Sequence, residues 1–156
     1  MTGYEELLTN AEKENVIVIE NYDLSNTRLK GLYCDGVVAL DKNIKTEKEK
    51  KCVMAEELGH YYTAVGNILD QSSAANRKQE LHGRAYAYNK LIGLIGIVNA
   101  YKHHCHSLSE SAEYLGVTEE FMKEALSYYK GKYGTSVTVD SYIIFFEPHI
   151  AVLELL

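Results

Sequence analysis

The stretch AEELGHYYT, residues 55–63, holds the residue types that hydrolytic chemistry needs. On a helix, Glu56 and His60 stand at i and i+4, so their side chains lie on one face a turn apart. Two ligands supplied to a single metal ion by a single helix require that spacing. Glu57 comes about 100° further round the helix, where a carboxylate can reach a water molecule instead of the ion. The chemistry this predicts is metal-assisted hydrolysis, with Glu56 and His60 as ligands and Glu57 as general base. The spacing alone is weakly specific, because a Glu–His pair four residues apart equally suits a solvated helix face.

The elements that must position these residues are legible on both sides. Thr46 with Glu49 three residues on forms a capping box, which opens a helix over about 46–65, closed by Gly66–Asn67. A polar loop, LDQSSAANRK, separates it from a second helix over about 77–92, with Leu81, Ala85, Tyr88, Leu91 and Ile92 predicted on one face. Upstream, Tyr4, Leu7, Leu8 and Ala11 make an apolar stripe on a helix over 3–14. VIVIENY (16–22), LKGLYC (29–34) and VVALD (37–41) read as strands. Asp35-Gly36 between the last two signals a hairpin, since both central residues of such a turn need positive φ. The first half is therefore a helix followed by a small antiparallel sheet.

Downstream, helices are predicted at about 95–103, at 109–115 and after Thr118 as far as Gly131–Gly134. Gly93 and Gly96 mark a helix break and close interhelical packing. The β-branched and aromatic tail after Gly134 predicts one or two strands, pairing with the N-terminal sheet or with another subunit.

Composition sets the outer limits. With 156 residues, 46% hydrophobic and 24% charged, the chain suits one globular domain, or one domain with a small appendage. A net charge of −6 argues against direct nucleic-acid binding through bulk positive charge. No apolar run approaches the length of a membrane span, and the first twenty residues lack a signal peptide's pattern. Cys34, Cys52 and Cys105 are odd in number and widely spaced, which fits reduced thiols in a cytoplasm and no thiolate zinc knuckle. These features predict a cytoplasmic protein.

Two further segments invite chemistry and are better read otherwise. His103, His104, Cys105 and His106 are metal-binding residue types, but neighbours on a helix point apart, and a polar helix end explains them. LSESAEYLGVTEEFMKEAL (108–126) has a helix-turn-helix outline around Gly116. Its second helix opens with Glu119 and Glu120, which repel phosphate, so packing or a protein-binding surface fits better than DNA reading.

Beyond its own spacing, the motif sits in a wider pattern. LKGLYCDGVVALD, EKKCVMAEELGHYYTAVGNILDQ, NRKQELHGRAYAYNKLI and AEYLGVTEEFMKEALSYYKGKYG together resemble the ImmA/IrrE family of phage- and mobile-element-encoded metallopeptidases, over roughly residues 1–134. Residues 135–156 lie outside the resemblance, as a β extension of unassigned role.

The resemblance implies an α+β, zincin-like fold and a zinc-type endopeptidase. Manganese or iron competes better than usual there, because Glu56 stands where the family usually carries histidine, a departure similar to that of many compact phage versions that read EELGH. The family's third ligand is a glutamate within a pattern like ExxA[ND]x[FY]A. That pattern falls on Glu80, Gly83, Arg84, Tyr86 and Ala87, matching at Glu80, Tyr86 and Ala87 and departing at Gly83 and Arg84. Glu80 is thus the implied third ligand and Glu57 the implied catalytic base. His82 is the rival, since it would restore the usual two-imidazole count. Tyr61, Tyr62 or Tyr86 would be candidates to donate to an oxyanion, although tyrosines beside such a helix more often belong to the core. The implied substrate is a helix-turn-helix repressor protein. The alternative is a catalytically silent regulatory module that binds such a partner.

Overall fold

The computed structural model describes residues 3–63 and 73–156. The chain divides into two compact units, Met1–Ala87 and Tyr88–Leu156, with the boundary inside one helix.

In the first unit, α1 (Gly3–Lys13) buries Tyr4, Leu7 and Ala11 of the expected stripe. Three strands follow, β1 (Ile17–Tyr22), β2 (Gly31–Cys34) and β3 (Val37–Asp41). Asp35 and Gly36 turn with φ of 49° and 79°, so the hairpin forms where the Asp-Gly pair predicted it. Val38, Ala39 and Leu40 are buried in succession, the signature of a strand covered on both faces, and β3 is the central strand.

The sheet is mixed instead of wholly antiparallel. β2 pairs antiparallel with β3, while β1 pairs parallel with it, Ile17 opposite Val37. The crossing runs through a turn built by Asp23, Ser25 and Thr27. The Ser25 amide donates to the Asp23 carboxylate, and the Thr27 amide to the Leu24 carbonyl, around the buried Leu24 side chain. These turns carry the chain to the far side of β3 and leave β2 at an edge.

α2 (Glu47–Thr63) begins where the capping box placed it: the Glu49 amide donates to Thr46 Oγ1 at 3.1 Å. The Glu49 carboxylate pairs with Lys30, just ahead of β2. Cys52, Met54, Ala55 and Leu58 face the core. The stop expected at Gly66–Asn67 lies outside the described residues. α3 spans Ser73–Leu91, so part of the predicted polar loop is helical and the rest of that loop is also outside the described residues. The predicted apolar face of α3 is corrected at Leu81. That residue is 56% exposed, and among the described residues of α3 the covered positions are Gly83, Ala87 and Tyr88, the last of which the prediction included. α3 comes closest to α2 at Gly83, not through a leucine ridge.

The second unit holds α4 (Gly93–Lys102), α5 (Leu108–Leu115) and α6 (Glu119–Tyr133). Gly93, at φ 66°, breaks the chain between α3 and α4. A Cβ on Gly96 would lie 3.4 Å from Leu115, so α4 and α5 pack closely there. Ser107 and Thr118 cap α5 and α6 by accepting from the Glu110 and Phe121 amides. The tail forms three strands, β4 (Ser136–Val139), β5 (Tyr142–Phe145) and β6 (Ala151–Glu154), joined antiparallel in chain order. They make their own sheet and do not extend the N-terminal one, because each finds its partner in the next strand. Among the described residues, no helix is long and apolar enough to cross a membrane.

Candidate metal centre

Two bare backbones bring α2 and α3 together. A Cβ on Gly59 would lie 2.4 Å from the Gly83 carbonyl oxygen, a distance real structures do not tolerate. One on Gly83 would lie 2.5 Å from Cε1 of the His60 ring, so the imidazole occupies the space a side chain there would take. Gly83, one of the departures from the family pattern, is therefore a seat for His60. Glu80 lies one turn earlier on the same helix. Its Oε1 stands 3.5 Å from His60 Nε2, with the imidazole largely covered and the Glu80 side chain more open. His82, two residues on, is exposed. Of the two α3 residues considered as ligands, Glu80 is the one placed against His60.

Glu57 is 9% exposed, the one charged residue among the described buried positions. Gly31 makes room for it on β2: a Cβ there would lie 2.5 Å from a Val53 methyl and 3.2 Å from Glu57 Oε1. A glycine inside a strand run signals such close approach. The Tyr33 backbone amide, on the same strand, donates to the Glu57 carboxylate. Burial pushes the Glu57 carboxyl up to about 7, the negative charges of Glu56 and Glu80 push it the same way, and the Tyr33 hydrogen bond opposes them. A carboxyl balanced near neutrality can take and give a proton within the physiological range.

Whether these residues suit a divalent ion is a matter of donor type and room. One imidazole and the carboxylates of Glu56 and Glu80 are a hard, anionic set of the kind such ions take. Gly83 gives the imidazole its seat, and excess negative charge around Glu57 is what a cation would relieve. The set is not closed: among the described residues, no three His, Cys, Asp or Glu side chains converge tightly enough to hold a metal. Glu56 is half-buried, and the facing pair is His60 and Glu80.

The tyrosines beside the centre are already engaged. The Tyr61 hydroxyl donates to Glu14 at 3.3 Å, and Tyr62 stacks on Tyr86 with centroids 5.1 Å apart. Burial holds the phenols of Tyr61, Tyr62 and Tyr86 above their ordinary range, so each stays a donor. Elsewhere, His103 stacks on Tyr114 while the His106 amide and the Cys105 thiol turn to Glu110. The residues 103–106 serve a helix end, as their order along the chain suggested. The three cysteines are unbridged.

No curated protein and no solved structure shows a significant match to the chain. The family model of the Peptidase M78, IrrE N-terminal-like domain matches residues 11–127, a span that takes in the β2–β3 hairpin, Glu56, Glu57, His60 and Glu80. With most of its length covered by that match, the chain belongs to the ImmA/IrrE family of metallopeptidases.

Proposed function

We propose that the protein is a metal-dependent endopeptidase of the cytoplasm, cutting a helix-turn-helix repressor of a phage or mobile element and so lifting repression. The observation that carries this reading is the buried Glu57 carboxyl, held against β2 by the Tyr33 amide and poised near neutrality next to the His60–Glu80 pair. A buried acid without a task would ordinarily be exchanged for an apolar residue, because burial costs it its charge.

Glu56, His60 and Glu80 would hold the ion, zinc first and manganese or iron as competitors. When bound, it supplies Lewis acidity at a peptide carbonyl and lowers the pKa of water towards 7. Glu57 takes the proton of the attacking water on a carboxylate oxygen and passes it to the departing amide nitrogen. Gly31 and the Tyr33 amide hold that carboxylate in place. Tyr61, Tyr62 and Tyr86 remain neutral donors at the edge of the site.

One observation favours a second reading, a silent module that binds the repressor without cutting it. The three ligand residues do not close around a common point, and glutamate stands at the first ligand position. The test uses full-length protein loaded with zinc or manganese beside Glu57→Gln, each incubated with helix-turn-helix regulators encoded near its gene, with products read by mass spectrometry. Cutting at a defined bond by the first and not the second is the expected result. Binding by both with cutting by neither would replace the peptidase with the module.

A further inference from the structure

Tyrosines line one side of the centre in an unbroken row. Tyr33 of β2 meets Tyr61 of α2 edge-on, with centroids 6.0 Å apart. Tyr61 meets Tyr62 at 5.0 Å, and Tyr62 stacks on Tyr86 of α3 at 5.1 Å and 26°. The row starts at the residue whose amide holds Glu57 and passes the chain neighbour of His60.

This row is not core. Tyr62 is 37% exposed, and Tyr33, Tyr61 and Tyr86 are only half-buried. Open phenol rings present negative faces, which attract planar and cationic groups. Among the described residues, lysines lie over Tyr4, Tyr128, Tyr133 and Tyr142, and none lies over this row. A carboxylate stands beside it: exposed Glu14 accepts from the Tyr61 hydroxyl at 3.3 Å. Its charge also acts on Tyr62 and Tyr86. Packed rings with a carboxylate alongside suit a guanidinium, which lies flat on an aromatic face and donates in-plane to an acid.

We infer that the Tyr33–Tyr61–Tyr62–Tyr86 row, with Glu14 beside it at Tyr61, is a subsite for an arginine side chain of the protein segment bound at the Glu57–His60–Glu80 centre. The inference rests on that centre receiving a protein chain, whether or not the chain is cut. It adds a determinant of which segment is received: one with arginine a few residues from the position facing Glu57. The acidic net charge of −6 draws such a segment in.

The test is a titration of full-length protein carrying ring-labelled tyrosine with acetyl-Gly-Gly-Arg-Gly-Gly-amide and its norleucine and phenylalanine counterparts, followed by NMR. Wild type in chelator and Glu57→Gln are both used, so that no cutting intervenes. Saturable shifts of the Tyr61, Tyr62 and Tyr86 ring signals are expected with the arginine peptide, with Tyr128 and Tyr142 unmoved. The norleucine peptide binds at least about threefold more weakly, the scale of an exposed cation–π contact. Glu14→Gln, isosteric and on the surface, weakens the arginine peptide similarly, and Tyr62→Leu removes its response. Equal binding of arginine and norleucine, stronger binding of phenylalanine, or indifference to Glu14→Gln would overturn the subsite. The two readings fail separately. Arginine binding without any cut substrate sinks the peptidase and leaves the subsite, whereas cut sites with no arginine at a fixed distance sink the subsite and leave the peptidase.

Discussion

The His60 imidazole rests where a side chain on Gly83 would stand, its Cε1 2.5 Å from the position of an added Cβ. The same glycine approaches Gly59 closely enough for the two helices to touch backbone to backbone. Gly83→Ala therefore has to push the ring off α3, and with it the contact to Glu80. The ring is the far end of a side chain and can swing, so the cost to stability should stay at about 1–2 kcal/mol, within the usual range for overpacking. Gly59→Ala meets a carbonyl oxygen, which cannot swing, and should cost more. Thermal denaturation of both variants checks the order, and elemental mass spectrometry should show Gly83→Ala retaining less metal than wild type. Equal metal in the two would mean that the position of the imidazole is irrelevant to binding.

The buried acid makes a pH signature. Glu57 in the metal-free folded chain holds its proton up to about pH 7, against an ordinary value near 4.5. The folded state thus binds that proton more tightly than the unfolded chain does. Its contribution is fully present below the ordinary value and is lost as pH rises through 7. Relative to Glu57→Gln, which carries no titrating group there, wild type should lose about 3 kcal/mol between pH 4.5 and pH 8. Urea denaturation in chelator at both ends measures the gap. A gap that does not change with pH would mean Glu57 is solvated in solution.

Much of this was legible in the residues, for identifiable reasons. The helix cap at Thr46, the Asp35-Gly36 hairpin and the break at Gly93 are local devices, each with its cause within a few residues. The i,i+4 spacing of Glu56 and His60 is likewise local. What distance along the chain hides is different in kind. Gly31 and Gly83 matter because Glu57 and His60 fill the space above them, and neither neighbour is near in sequence. Leu81 looked like a core residue because it fits an apolar period, yet α3 turns its glycine face to α2. Strand direction was missed for a related reason. Nothing in 23–30 announces that β1 ends up parallel to β3, since that depends on which side of β3 the returning chain passes. Tyr33 was missed because it acts through its backbone amide, and any residue type supplies one.

Ligand choice on α3 separates two residues of the same helix. Glu80 faces His60 at 3.5 Å, while His82 points to solvent-exposed surface. After loading with zinc or manganese, wild type and His82→Ala should carry about one metal per chain, and Glu80→Gln should carry much less. Loss of a ligand from a three-residue set weakens a site far more than the tenfold to hundredfold seen for outer partners. Metal lost in His82→Ala and kept in Glu80→Gln would invert the assignment. In the loaded protein the cation also offsets the charge around Glu57, so the pH-dependent gap described above should shrink in parallel with occupancy.

The second unit has its own test at Tyr129, which lies fully buried on α6. Its hydroxyl donates to Asn89 Oδ1 at 3.1 Å and accepts from the Gly93 amide at 3.2 Å. That amide belongs to the residue whose positive φ separates α3 from α4, so no helical carbonyl is in line to receive it. Burial holds the phenol well above its ordinary range, which keeps the proton on the oxygen that must donate it. Tyr129→Phe removes both hydrogen bonds while preserving the ring, and strands the Gly93 amide. The expected loss is about 1–3 kcal/mol by urea denaturation. Asn89→Ala removes only the exposed acceptor and should cost distinctly less. Equal losses would show that the bond to Gly93 contributes nothing, and that the break between α3 and α4 is held by glycine's backbone freedom alone.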